Sequence, residues 1–188
     1  MELLLVTDSV RFGHLLAVCI GLGASIMADI YILNRLRMPL SPEMLATLHR
    51  THLIVWAALG VMWATGLGLV YIRTGFDPAT FTPKLIAKLT TVSVLTVNAV
   101  LIGWVVMPIL KRAPGKSIAA LHRGEKLCLS VIGGISSASW MLALAMGVSK
   151  VLARSDADVF AILLPAAYLI ALPATAVLLL SQPRPTRA

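Results

Sequence analysis

Histidines at 14, 49, 52 and 122, a carboxylate at Asp29 and amines at Lys84 and Lys88 are the reactive groups of an otherwise apolar chain. Lys84, Lys88, Thr91 and Asn98 share one run, 82–110, and at about 100° per residue they fall within a sector of roughly 80°. A cationic and polar stripe is costly in lipid, so this face is expected to meet other helices or a cofactor. His14 lies at a similar depth. A neutral imidazole nitrogen is a haem-iron ligand, and helix bundles build cofactor sites from facing side chains. Lys88 would be a second axial ligand if its amine is deprotonated, or a propionate partner if it is protonated. The alternative is a hydrogen-bonded structural histidine, two lysines snorkelling to the near interface and Asn98 bonded to a neighbouring helix.

A second group, Asp29, His49, His52 and His122, falls toward the other side of the membrane. His52 facing Asp29 would be an ion pair, a proton-handling pair, or a metal ligand with its orienting carboxylate. His52 with His122 would make a second, bis-histidine haem site. His49 and His122 also fit the interface, where solvated histidines are common. Trp56 and Trp63 read as packing residues or interfacial anchors. His14 and His52 cannot share one metal, because most of a membrane thickness separates them.

The composition sets the environment of these groups. Of 188 residues, 59% are hydrophobic and 13% charged, against about a quarter charged in soluble domains. The expected fold is all-α: one transmembrane domain, 1–188, spanning the bilayer five times. The net charge of +8 then bears on orientation and lipid headgroups rather than nucleic acid, since no basic, aromatic-studded module remains outside the membrane. The slightly acidic start and the long first run predict a retained span, not a cleaved signal peptide.

In chain order the spans are expected at about 11–36, 42–73, 82–110, 126–151 and 159–180. Gly21, Ser25 and Ala28 share a face with His14 in span one, and small residues allow close approach of another helix or a flat ligand. Ser41 followed by Pro42 reads as the cap and first position of span two. Ser130, Gly133, Gly134 and Ser137 form overlapping small-x-x-x-small pairs in span four, a packing signal. Span five carries Pro165 and Pro173, expected to bend it, and is assigned a scaffold or lipid-facing role. Cys19 and Cys128 lie at opposite depths, so they are read as free, small core residues.

Five spans put the termini on opposite sides. Arg11, Arg73, Lys84, Lys88, Lys150 and Arg154 fall with the N-terminus. Arg35, Arg37, Arg50, Lys111, Arg112, Lys116, Arg123, Lys126, Arg184 and Arg187 fall opposite. The positive-inside rule therefore places the N-terminus outside and the C-terminus in the cytoplasm, in the inner membrane of a cell.

Other chemistries lack their motifs. There is no His-Glu-x-x-His, no phosphate loop and no Gly-x-Ser-x-Gly elbow. Met27, Met62, Met107, Met141 and Met146 do not cluster by spacing, which weakens a copper route.

Two stretches resemble a known family. His14-Leu-Leu-Ala-Val, running through small residues to Ile30-Tyr31-Ile32-Leu33-Asn34-Arg35, is similar to the first span of HemJ-type membrane proteins. Lys84-Leu-Ile-Ala-Lys88-Leu89 is similar to the opening of their third span, and CopD-like proteins share the general layout. The resemblance covers roughly 10–110. It implies a haem b-binding redox protein with His14 and Lys88 as the functional pair, while Lys84, Asn98, His52 and His122 are further cofactor candidates from the residue pattern. It also implies electron transfer or porphyrinogen oxidation, with a quinone or porphyrin as substrate and a membrane-protein partner or a second copy as companion. The chain departs from the family in its His49-Arg50-Thr51-His52 run, in having no histidine near Asn98, and in its fifth span. The competing expectation is a non-enzymatic accessory subunit or a CopD-like metal permease.

Overall fold

The computed structural model describes residues 1–181, so Arg184 and Arg187 lie outside the described residues. Five helices are long and apolar enough to cross a membrane: α1 (Glu2–Asn34), α2 (Pro42–Thr74), α3 (Pro83–Lys111), α4 (Arg123–Val148) and α5 (Ala157–Leu180). The described residues contain no strand, only one isolated bridge. The limits of α2, α3 and α5 fall close to the expected ones. Helix α1 begins earlier than the apolar run, so His14 stands about three turns inside it instead of one.

Local chemistry sets the helix ends. The Ser41 hydroxyl accepts from the Met44 N–H at 3.1 Å, with Pro42 at the first helical position. Gly75 closes α2 at φ 58°, where a side chain would be strained. Thr82 caps α3 through the Leu85 N–H at 3.2 Å. His122 caps α4: its Nδ1 accepts from the Gly124 N–H, and the Glu125 carboxylate accepts from the His122 N–H at 2.9 Å.

Helix α3 widens to a π turn at Ile102–Val106. Pro108 stands two residues beyond it; it has no N–H to give the carbonyl four residues back, and its ring crowds that carbonyl. The wide turn is how the helix absorbs it. Such turns often accompany functional sites.

Each end of the bundle is stitched. The α1–α2 and α3–α4 loops pair through Leu40 N–H to Lys116 O and Ala119 N–H to Leu36 O, both 2.9 Å. This is the capped end, and Leu36, Leu40, Met44, Leu110 and Ile118 are buried beneath it. At the other end, Lys84 Nζ donates to Ser149 O at 2.8 Å, joining the start of α3 to the last turn of α4. The ammonium there faces the negative end of the α4 dipole. The helices therefore alternate up and down.

Helix α1 packs chiefly on α2, and α4 packs on α3 and α5, whereas α1 and α5 scarcely touch. Helix α4 is the most enclosed, with 44% of its apolar window buried against 0% for α5. Its small residues explain this. A Cβ at Gly134 would come 2.7 Å from Thr175 Oγ1, and Thr175 donates to Ser130 O at 2.9 Å. Mid-bundle, Trp140 of α4 lies so close over Gly21 of α1 that any side chain at 21 would overlap the indole. Pro165 and Pro173 lie inside α5. Cys19 is exposed on α1 rather than in the core, because the small-residue face of that helix is the one turned inward.

Candidate functional site

The ionisable groups fall into two regions at different depths. The first lies toward the end stitched by Lys84. His14 Nδ1 is 3.0 Å from Thr65 Oγ1, and Thr65 gives its own proton to Val61 O at 2.6 Å. With that proton engaged, the threonine oxygen is left as acceptor and the imidazole donates from Nδ1. The lone pair is then on Nε2. Gly66 makes room for the ring, since a Cβ there would sit 3.2 Å from His14 Cε1.

Lys88 is half-buried and near enough for its charge to act on His14; Lys84 and Arg73 act in turn on Lys88. The α3 stripe points into the bundle, with Thr91 0% and Asn98 2% exposed. Its members have separate roles. Lys84 is taken up by Ser149, and the Thr91 hydroxyl donates to its own helix at Ala87 O. Asn98 does not make the bond to a neighbouring helix that the alternative reading gave it: neither its Nδ2 nor its Oδ1 has a partner among the described residues, and nor does Trp140 Nε1. A buried amide with both ends unsatisfied is costly in a bundle core.

The second region lies toward the capped end. There a cavity of about 290 Å³ opens among all five helices. Asp29 and His52 both line it, as do Ser25, Ser136, Ser137 and Thr175. Ser137 Oγ donates to Asp29 Oδ2 at 3.0 Å and also faces Gly133 O at 3.1 Å. His52 Nε2 accepts from Trp56 Nε1 at 3.0 Å, which places the imidazole proton on Nδ1. The π turn forms part of the wall through Ile102 and Val106, and a Cβ at Gly103 would come 3.2 Å from His52 Nε2.

The structure thus brings Asp29 and His52 to one cavity and His14 and Lys88 to one neighbourhood. His52 and His122 receive different partners: His122 is exposed, caps α4 and does not line the cavity. His49 is exposed on α2. Among the described residues no group of three or more His, Cys, Asp or Glu side chains could hold a metal ion. Haem iron asks less of the protein, one or two axial ligands, so this does not bear on His14.

Sequence reasoning missed Thr65, Gly66, Trp140 and the π turn. Pro108 inside an apolar run was the available signal for the last of these. Thr65-Gly66 carried none, because a threonine and a glycine in a span are ordinary.

No family model matches the chain, and neither does any curated protein or solved structure.

Proposed function

We propose that this chain is a multi-pass membrane redox protein that binds haem b through His14, as the resemblance to HemJ-type proteins implies. One observation carries the reading: the His14–Thr65–Val61 relay. A metal-ligating histidine typically donates its remote N–H to a fixed acceptor, which sets the tautomer and aims the other nitrogen. Thr65 is such an acceptor, and Nε2 is the nitrogen it leaves available. Lys88 supplies either a second amine ligand or an ammonium for a propionate. The unsatisfied Asn98 amide offers a donor and an acceptor on the same α3 stripe.

The donor set suits haem. Bound there, haem would supply one-electron chemistry, and the protein's part is ligation, burial and hydrogen bonding. Thr65 orients His14, Gly66 lets the ring lie flat against α2, and the Lys84–Ser149 bond steadies the opening of α3 beside Lys88. The role that follows is electron transfer between a membrane-dissolved quinone or porphyrin and a protein partner, in the cell's inner (cytoplasmic) membrane. The N-terminus would be outside, as the cation distribution favours.

The test is a reduced-minus-oxidised visible spectrum of the detergent-purified chain, expressed with ample haem. A Soret band that disappears in His14→Ala and persists in His52→Ala and His122→Ala supports the reading. A colourless wild-type protein of intact helix content overturns it and leaves the non-enzymatic accessory subunit.

A further inference from the structure

The cavity at the capped end is not used by the His14 site and has its own chemistry. Its walls are mostly apolar, with several hydroxyls, and two ionisable side chains line it from different helices. On α1, the Asp29 carboxylate has one oxygen held by Ser137, and no bond to a described residue is found at the other, Oδ1. On α2, His52 has Nε2 engaged by Trp56, so its donor is Nδ1. A residue with a free acceptor oxygen and a residue with a donor nitrogen therefore line one small volume.

Access is from the side. Helices α1 and α5 scarcely touch, and the most exposed side chains of the lining, Leu33 of α1 and Leu178 of α5, are 44% and 47% exposed. Both are apolar and stand in the last turn of helices long and apolar enough to cross a membrane, where the tail of an amphiphile can stay with lipid while its head reaches the cavity. Size narrows the choice. About 290 Å³ is at the lower edge of the range for small-molecule pockets, which suits one substituted ring and not a tetrapyrrole.

We infer that the Asp29–His52 cavity binds the head of a lipid-soluble, ring-bearing amphiphile with oxygens on opposite ring positions, the quinone and quinol class, admitted between α1 and α5. One ring oxygen accepts from His52 Nδ1–H. In the hydroxylated form the other donates to Asp29, while the tail lies along Leu33 and Leu178. The π turn supplies the width on the α3 side. This gives the redox reading a place for its substrate, but binding here does not require haem, so the two fail separately.

The experiment is calorimetric titration of the full chain in lipid nanodiscs with a decyl-tailed benzoquinol, against empty nanodiscs, with decanol as the tail-only comparison. The expected result is saturable binding of the quinol, absent for decanol. Asp29→Ala should weaken it about tenfold or more, the cost of losing a hydrogen bond to a charged group. Ala28→Phe, which places a ring in the cavity, should abolish it, and His122→Ala should leave it unchanged.

Binding no greater than in empty nanodiscs, equal binding of decanol, or binding indifferent to Asp29→Ala and Ala28→Phe overturns the inference. A photoreactive quinol on the wild-type chain keeps the test open if either variant misfolds. Crosslinks on α1 near Asp29 and on α5 near Leu178 support the site, and crosslinks confined to other segments overturn it.

Discussion

The two polar regions of this bundle are built alike and finish differently. Each pairs an ionisable side chain with a hydroxyl from another helix, His14 with Thr65 and Asp29 with Ser137. His14 meets its partner on α2, the other arm of its own hairpin, where Gly66 lets the helices close on the ring. Asp29 meets its partner on α4, far along the chain, beside an α3 that has widened ahead of Pro108. Hairpin neighbours with small residues pack tightly around a polar group. Helices that converge from distant parts of the chain on a distorted turn leave a cavity. The first arrangement holds one nitrogen in a chosen orientation; the second leaves room for a molecule.

Breaking the first region should have the largest effect. His14→Ala is expected to abolish the Soret band, whereas Thr65→Val, which removes only the orienting acceptor, should lower haem affinity by about 10–100-fold, measured by haem titration of the apoprotein. Equal effects of both changes would mean that the threonine is doing more than orienting the ring.

Next is the boundary between the regions, where Trp140 covers Gly21. Gly21→Leu overpacks that contact and should cost about 1–3 kcal/mol. It would be seen as a thermal midpoint lowered by roughly 2–4 °C for each kcal/mol.

Ser137→Ala sharpens the contrast within the second region. If the Asp29 carboxylate depends on this hydroxyl, the loss should be about 1–3 kcal/mol in denaturant unfolding. A much smaller loss would show that water from the cavity replaces it. His122→Ala should have the smallest effect, about 1 kcal/mol from the lost cap, with haem and quinol binding unchanged.

What was legible in the sequence was whatever depends on local chemistry. Ser41-Pro42 announces a helix start, because a hydroxyl before a proline accepts from the first free amides. The small-residue face of α4 announced close packing, and Gly134 against Thr175 is that packing. Of the group placed together by depth, Asp29 and His52 both line one cavity, whereas His122 does not. Cys19 was harder to place, since a small apolar residue in a span reads the same whether it faces lipid or protein. Asn98 was left between a cofactor and a neighbouring helix, and it has no partner among the described residues, because which side chain lies opposite depends on how helices rotate against each other.

By itself, then, the sequence determined five apolar helices and their approximate ends. These follow from length, hydropathy and capping, all counted along the chain. Only the tertiary structure decided that Thr65 orients His14, that Lys84 is bound to Ser149, and that Pro108 opens a π turn beside His52. Each of these depends on which faces of separate helices meet. In a bilayer nearly every face is apolar, so a residue's type reports little about its neighbour.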